Sequence, residues 1–191
     1  MNQFDPEAYG PTFAPLLAID RRRRLDEGTP DVGVRQALSA LSVKSAFAHT
    51  AIANNESAAC CLAAIWLLHD YLDESHTISQ KIDTPDGSFW HGILHRREGD
   101  FPNSKYWFRR VGPHPAFNVI GPHASELAAA RGDAKAIANL TSDGRWDPLA
   151  FVELCQAVES GRSYARELCL DIQQAEWEVL FDYCYWAAVN S

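Results

Sequence analysis

The sequence predicts an all-α fold: a repeat-like core of helical hairpins in the middle third, a long C-terminal helix packed on it, and an N-terminal arm. Three observations carry this. Apolar residues recur at helical spacing through most of the chain beyond residue 32. No stretch alternates apolar and polar residues in the manner of a half-buried strand, and no hairpin turn signal occurs. Helix-starting pairs and glycine stops also punctuate the periodic runs. With 191 residues, 47% hydrophobic and 22% charged, the chain has the size and composition of one globular domain, 1–191.

Residues 1–31 read as an arm, punctuated by Pro6, Pro11, Pro15 and Pro30, with a brief helix near 16–19 docked on the body. Arg21, Arg22, Arg23 and Arg24 are flanked by Asp20, Asp26 and Glu27, so the run reads as a locally neutralised, solvated helix face. Val34, Leu38 and Leu41 share one face of a short helix over 32–41, and 54–57 reads as a break and cap. From residue 58 the chain is strongly helix-forming. Ile65, Leu68 and Leu72 form an apolar face that Ile78 and Ile82 continue, so 58–82 is either one helix or a hairpin. Thr84-Pro85-Asp86-Gly87 is a turn by composition. Helices are expected over 89–98 and, after Gly99-Asp100, over 101–111, where Gly112, Pro113 and Pro115 stop the second.

An irregular stretch is expected through Pro122. The C-terminal helices, 124–189, follow. Residues 124–140 are helix-forming with a break at Gly132-Asp133. Asp147 as N-cap and Pro148 at the first helical position open a helix running to about residue 159. The last and longest helix spans 163–189, with Leu168, Ile172, Ala175, Val179, Tyr183 and Trp186 spaced for a core face.

Internal similarity sharpens the middle third. His91-Gly92-x2-His95, then Ser104-x3-Phe108, then Pro115 occupy the relative places of the pattern W-x2-L-G-x2-Y, A-x3-F, P. Upstream, Leu62-Ala63-x2-Trp66 and Ser75-x3-Ser79 fall in the same order, with Ser75 standing 29 residues before Ser104. On these residues, 58–115 resembles tetratricopeptide-type helical-hairpin repeats. The resemblance implies antiparallel helix pairs and a concave face of the kind that receives peptide tails. Small residues at Ala63, Ser75, Gly92 and Ser104 let paired helices approach closely, and Trp66 and Phe108 fill the groove between them. The segment departs from the family where the 29-residue interval replaces the usual 34 and where His91 and His95 replace Leu and Tyr.

Charge and cysteine usage exclude some functions. A formal net charge of −8 argues against general nucleic-acid binding, which needs a basic face to displace counterions. The longest apolar stretch, 58–68, is too short to span a bilayer, and MNQFDPEAYGPTF lacks the basic region and apolar run of a secretory leader. Five cysteines, two of them adjacent and none in C-x-x-C spacing, read as reduced thiols in a reducing, cytoplasmic setting.

Chemistry concentrates in residues 88–123. That segment holds four of the seven histidines and five basic side chains (Arg96, Arg97, Lys105, Arg109, Arg110) against Glu98 and Asp100. Metal binding is one reading. His91 and His95 stand at i, i+4 on one helix face, the spacing zinc helices use, and His69, Asp73 and His76 share a face at i, i+4, i+7. The intervening residues are Gly-Ile-Leu, so the glutamate base of H-E-x-x-H is absent. Histidine pairs at this spacing are common in helices, and hydrogen-bonded core or groove histidines are the plainer explanation.

Anion binding is the leading reading. Arginine offers a planar fork for carboxylate or phosphate. His91, His95, Arg96, Arg97 and Arg110 would line an inter-helix groove for an acidic peptide tail or a small phosphorylated or carboxylated molecule. A metal-assisted hydrolase using His69, His76, His91 and His95 with a divalent ion is the competing hypothesis, and a homo-oligomeric scaffold with purely structural histidines is the third.

Overall fold

The computed structural model of the chain describes residues 4–138, 140–142 and 145–190. Eleven α-helices and one 3-10 turn occupy these residues. Among the described residues the only strand pairing is a two-residue antiparallel ladder, Thr141–Ser142 against Arg145–Trp146. The chain is all-α, as the missing alternation predicts.

The arm begins with the 3-10 turn Pro6–Tyr9, where the Asp5 carboxylate accepts the Glu7 N–H, and continues into α1 (Gly10–Leu17). The four arginines that follow lie on no helix, contrary to expectation. Arg24 pairs locally with Asp26, but Arg21 reaches Glu178, Arg22 reaches Glu167 and Asp171, and Arg23 reaches Asp70. The segment is thus an irregular strap, neutralised mostly by carboxylates distant in sequence. Two single turns, α2 (Arg35–Ser39) and α3 (Val43–Ala46), complete the N-terminal region, α2 being shorter than its apolar spacing suggests.

Asn54 starts α4 (Asn55–Leu68) by accepting the N–H groups of Glu56 and Ser57. The helix does not run on to residue 82. Tyr71 N–H bonds the Trp66 carbonyl and Asp70 N–H the Leu67 carbonyl, the paired bonds of a Schellman stop, with Asp70 at φ +63° in the left-handed position. The Tyr71 ring closes edge-on over Trp66, with centroids 5.3 Å apart. The chain then reverses into α5 (Leu72–Ser79).

The stretch Thr84-Pro85-Asp86-Gly87, expected as a turn, opens a helix instead. The Thr84 hydroxyl accepts the Gly87 N–H and Pro85 takes the first helical position of α6 (Pro85–Arg97). After Gly99 comes α7 (Phe101–Val111), with the bounds its periodicity predicts. These two helices cross closely at Gly92, where a Cβ would stand 2.9 Å from the Phe108 ring, and the Ser104 hydroxyl donates to the Gly92 carbonyl at 2.7 Å.

The region expected to be irregular through Pro122 is helical from Phe117: α8 (Phe117–Arg131) carries Pro122 inside it. There the proline deprives only the exposed Asn118 carbonyl of a partner, which water can replace. Next come α9 (Ala134–Ile137), α10 (Pro148–Glu159), which starts on Asp147-Pro148, and α11 (Arg166–Val189).

The core is organised by two helices buried on several sides. The 24 residues of α11, about 36 Å of helix, pack against α4, α8 and α10. Every residue of α6 from Gly87 to Arg97 is buried, between α4, α5 and α7. Phe89, Trp90, Ile93 and Leu94 on α6 are wholly out of solvent, each contributing about 1.5–3 kcal/mol relative to an exposed side chain. All five cysteines are free and buried. No helix of the described residues is long and apolar enough to cross a membrane.

Candidate metal centre

Because α6 is enclosed on all sides, its histidines face protein. His91 and His95, one turn apart, look across to α5, which presents His76. The three rings meet: centroids lie 4.6 Å apart for His76 and His91, 4.7 Å for His91 and His95, and 5.3 Å for His76 and His95. One nitrogen from each lies within 4.8 Å of the others, and this is the group of three metal-ligating side chains found among the described residues. His91 and His95 are buried, while His76 is half-buried and forms the solvent side of the cluster.

Neighbours hold each buried ring. Trp107 of α7 stacks on His91 with centroids 3.9 Å apart and planes 19° apart, and the Ser79 hydroxyl lies 3.5 Å from His91 Nδ1. His95 Nδ1 stands 2.7 Å from Glu98 Oε2 and His95 Nε2 stands 3.0 Å from the Asn103 side-chain amide nitrogen. A carboxylate can only accept and an amide NH2 only donate, so these partners select the neutral tautomer with its proton on Nδ1. The Nε2 lone pair, which the Asn103 amide engages, is then the atom an ion would have to take, and Glu98 holds the opposite nitrogen as carboxylates do behind metal-bound imidazoles. His76 makes no side-chain hydrogen bond among the described residues.

Electrostatics favour neutral imidazole. Burial, reinforced by the neighbouring charges of His95 and His76, pushes the His91 imidazole down to about 3. A ring that stays unprotonated at neutral pH keeps a lone pair for an ion. Tetrahedral zinc holds imidazole nitrogens at about 2.0–2.1 Å, hence about 3.4 Å from each other. The three nitrogens, within 4.8 Å of one another, would have to close toward that spacing around a bound ion.

The other expected ligands lie elsewhere. His69 caps the C-terminus of α4 and faces the arm, with Nε2 3.0 Å from the Leu16 carbonyl and Nδ1 3.7 Å from Asp31. Asp73 is exposed on α5 and belongs to no converging group. The Schellman stop at Asp70 explains this. Spacing at i, i+4, i+7 aligns side chains only along one continuous helix, and the reversal places His69 and His76 on different segments.

The arginines expected to line a groove also diverge. Arg96 is 1% exposed, sits 4.5 Å above the Phe151 ring and donates to Glu176 at 2.5 Å. Arg97 is buried on Asp70 at 2.6 Å and on the carbonyls of Leu67, Asp26 and Glu27. Only Arg110 remains at the surface, paired with Asp83 at 2.9 Å and lying over the Trp107 ring at 5.3 Å. Successive helical residues point about 100° apart. On a helix enclosed all round, His95, Arg96 and Arg97 therefore face three different neighbours rather than one recess.

Sequence reasoning missed Glu98, Asn103 and Trp107 as partners of the histidines. Glu98 was within reach, since a carboxylate three residues after a helical histidine shares its face. Asn103 and Trp107 depend on how α7 crosses α6 and carry no local signal.

No protein-family model matches the chain, and neither a curated protein nor a solved structure does.

Proposed function

We propose that the chain is a metal-binding protein that holds one divalent ion of the zinc type on His76, His91 and His95 and receives an anionic ligand at the position those three leave open. The observation that carries this reading is the meeting of three imidazole nitrogens within 4.8 Å, contributed by two helices. Three neutral imidazoles leave the ion its full double charge, so carboxylate, phosphate or hydroxide oxygen is favoured in the fourth position. Hydrolysis by ion-bound water is the reaction class open to such a site. A small phosphorylated or carboxylated molecule remains the ligand class, now approached through the ion rather than through Arg96 and Arg97. Arg110 is the surface guanidinium closest in the chain of contacts, since its partner Trp107 stacks on His91.

In this reading the tetratricopeptide-like pairing of α4 with α5 and of α6 with α7 has one purpose: it brings a ring from one hairpin against two rings from the next. Five free thiols accord with a reducing, cytoplasmic setting.

Elemental analysis and zinc titration calorimetry test the proposal. Protein prepared without chelator is expected to carry about one equivalent of a divalent transition ion, and His91→Ala to carry none. Phosphate titrated into the zinc-loaded protein should bind, and should not bind the zinc-free protein. Wild type that takes up no stoichiometric zinc, manganese, cobalt or iron would sink the reading.

A further inference from the structure

A cavity of about 900 Å³ opens on the side of the molecule formed by the arm, the start of α8 and the last turns of α11. It is independent of the histidine cluster and shares no residue with it. Its walls are aromatic and aliphatic: Phe4, Tyr9, Val119, Val179, Tyr183 and Trp186. Val119 and Trp186 are each 41% exposed.

Carboxylates predominate among the lining groups, although the Arg21 guanidinium lies 4.6 Å over the lining Phe4 ring. Asp5, Glu178 and Asp182 line it, with no lysine or arginine among the lining residues. Glu178 is already paired with Arg21 at 2.8 Å, and the one lining imidazole, His123, stands 3.6 Å from Glu126. Asp5 is occupied as a helix cap, by a neutral backbone N–H. Among the described residues Asp182 accepts from two neutral donors, the Tyr9 hydroxyl at 2.8 Å and the Trp186 indole N–H at 2.9 Å. Among the described residues two solvent-exposed carboxylates, Asp5 and Asp182, thus have no cationic partner and border a cavity with four aromatic rings. Burial, and after it the Asp182 carboxylate, push the Tyr9 phenol far up, against the nearby Arg21 charge.

An aromatic enclosure with an unneutralised carboxylate has the chemistry that recognises organic cations. The ring faces attract positive charge, the carboxylate accepts ammonium hydrogens, and the walls cover an apolar body. The volume falls in the range of small-molecule sites, about 300–1,000 Å³. We propose that this cavity binds a small organic amine, an ammonium group on an apolar or aromatic body, with Asp182 as its counter-ion and Tyr9 and Trp186 as the groups that hold that carboxylate in place.

Calorimetry with three probes of one shape tests it: phenethylamine, 2-phenylethanol and 3-phenylpropionate, which present a cation, a neutral group and an anion. The expected result is that phenethylamine binds at least tenfold more tightly than either other probe. Asp182→Asn, which retains the side chain's shape, should weaken the amine about tenfold and leave the alcohol unchanged. His91→Ala should leave amine binding intact, which separates this site from the metal centre. Equal binding of all three probes, or an Asp182→Asn variant that holds the amine as wild type does, overturns the proposal. Sedimentation of the same samples gives the remaining arm. A dimer that Val119→Asp disperses and that amine leaves untouched would show the face to be covered by a second copy, and would also overturn it.

Discussion

Arg97 donates to Asp70 at 2.6 Å, and Asp70 is the residue whose left-handed backbone ends α4. One side chain therefore serves two ends. Its αL conformation, which aspartate tolerates better than most residues, makes the reversal that separates α4 from α5. Its carboxylate neutralises a guanidinium buried at the end of α6, and Arg23 and the Thr29 N–H fill its remaining acceptor sites. The stop between the first two core helices is fastened to the helix that bears His91 and His95. Asp70→Ala should therefore destabilise the fold by about 3–5 kcal/mol, the usual effect of leaving a buried charge without its partner. Asp70→Asn should lose clearly less, since it keeps the turn preference and one acceptor. Urea denaturation of the three proteins checks the order, and an alanine variant within 1 kcal/mol of wild type would contradict it.

Arg96 and Glu176 form a second buried pair, both side chains at most 1% exposed. Burial pushes the Glu176 carboxyl up, and the Arg96 charge offsets only part of that. Arg96 Nε and Nη1 and Glu176 Oε1 find no partner among the described residues, so the pair is incompletely satisfied there. Such pairs are sensitive to one-sided change and tolerant of two-sided change. Glu176→Leu alone should cost about 3–5 kcal/mol. Adding Arg96→Met should recover most of the loss, because the pocket around Phe108 and Phe151 already suits an apolar chain. A double mutant no more stable than the single would show that the pair is indispensable to the packing.

The local chemistry of the sequence revealed the helices more fully than their arrangement. Asp147-Pro148 and the periodic run at 101–111 were legible because caps and periodicity are local. The end of α4 was not, because its left-handed residue is Asp70 rather than the usual glycine, and its carboxylate is held by Arg97 and Arg23, 27 and 47 residues away. Thr84-Pro85 carries the same start signal as Asp147-Pro148, but Asp86-Gly87 after it has the composition of a turn. Of the candidate site, the i, i+4 pair His91 and His95 was legible and His76 was among the expected ligands. His69 and Asp73 were added by extending a helical face through residue 70, where the helix ends. The reading of Arg96 and Arg97 as groove-lining contacts assumed that they face an open recess, which fails on a helix enclosed on every side.

His69 gives a pH dependence that can be isolated. Its Nε2 donates to the Leu16 carbonyl, fastening the arm to α4, and burial holds its imidazole below the ordinary 6.5. The folded chain thus resists a proton that the unfolded chain takes up near pH 6.5. The stabilising contribution is full above that value and is lost as pH falls toward the lower folded value. His69→Gln keeps a donor for Leu16 but cannot titrate. At pH 8 it should be less stable than wild type by about 1 kcal/mol, and the difference should shrink between pH 6.5 and pH 5. A wild-type-minus-variant difference that stays constant or grows on acidification would contradict the assignment.

Asn103 offers the sharpest test of how the histidine cluster is poised. Its amide donates to His95 Nε2 at 3.0 Å, the atom that an ion would need, while Glu98 holds the opposite nitrogen at 2.7 Å. The two contacts act in opposite senses on metal affinity. Glu98 keeps the ring in the tautomer and direction that offers Nε2, so Glu98→Gln should weaken zinc binding by about 10–100-fold. Asn103 competes for the lone pair, so Asn103→Ala should tighten zinc binding by several-fold, at the expense of about 0.5–1.5 kcal/mol of metal-free stability for the lost hydrogen bond. Zinc titrations and metal-free denaturation curves on both variants separate the effects. A residue that merely shaped the site would weaken binding when removed. Opposite signs from two neighbours of one imidazole require that the ion and the amide contend for the same nitrogen, and an Asn103→Ala variant that binds zinc more weakly than wild type would show that they do not.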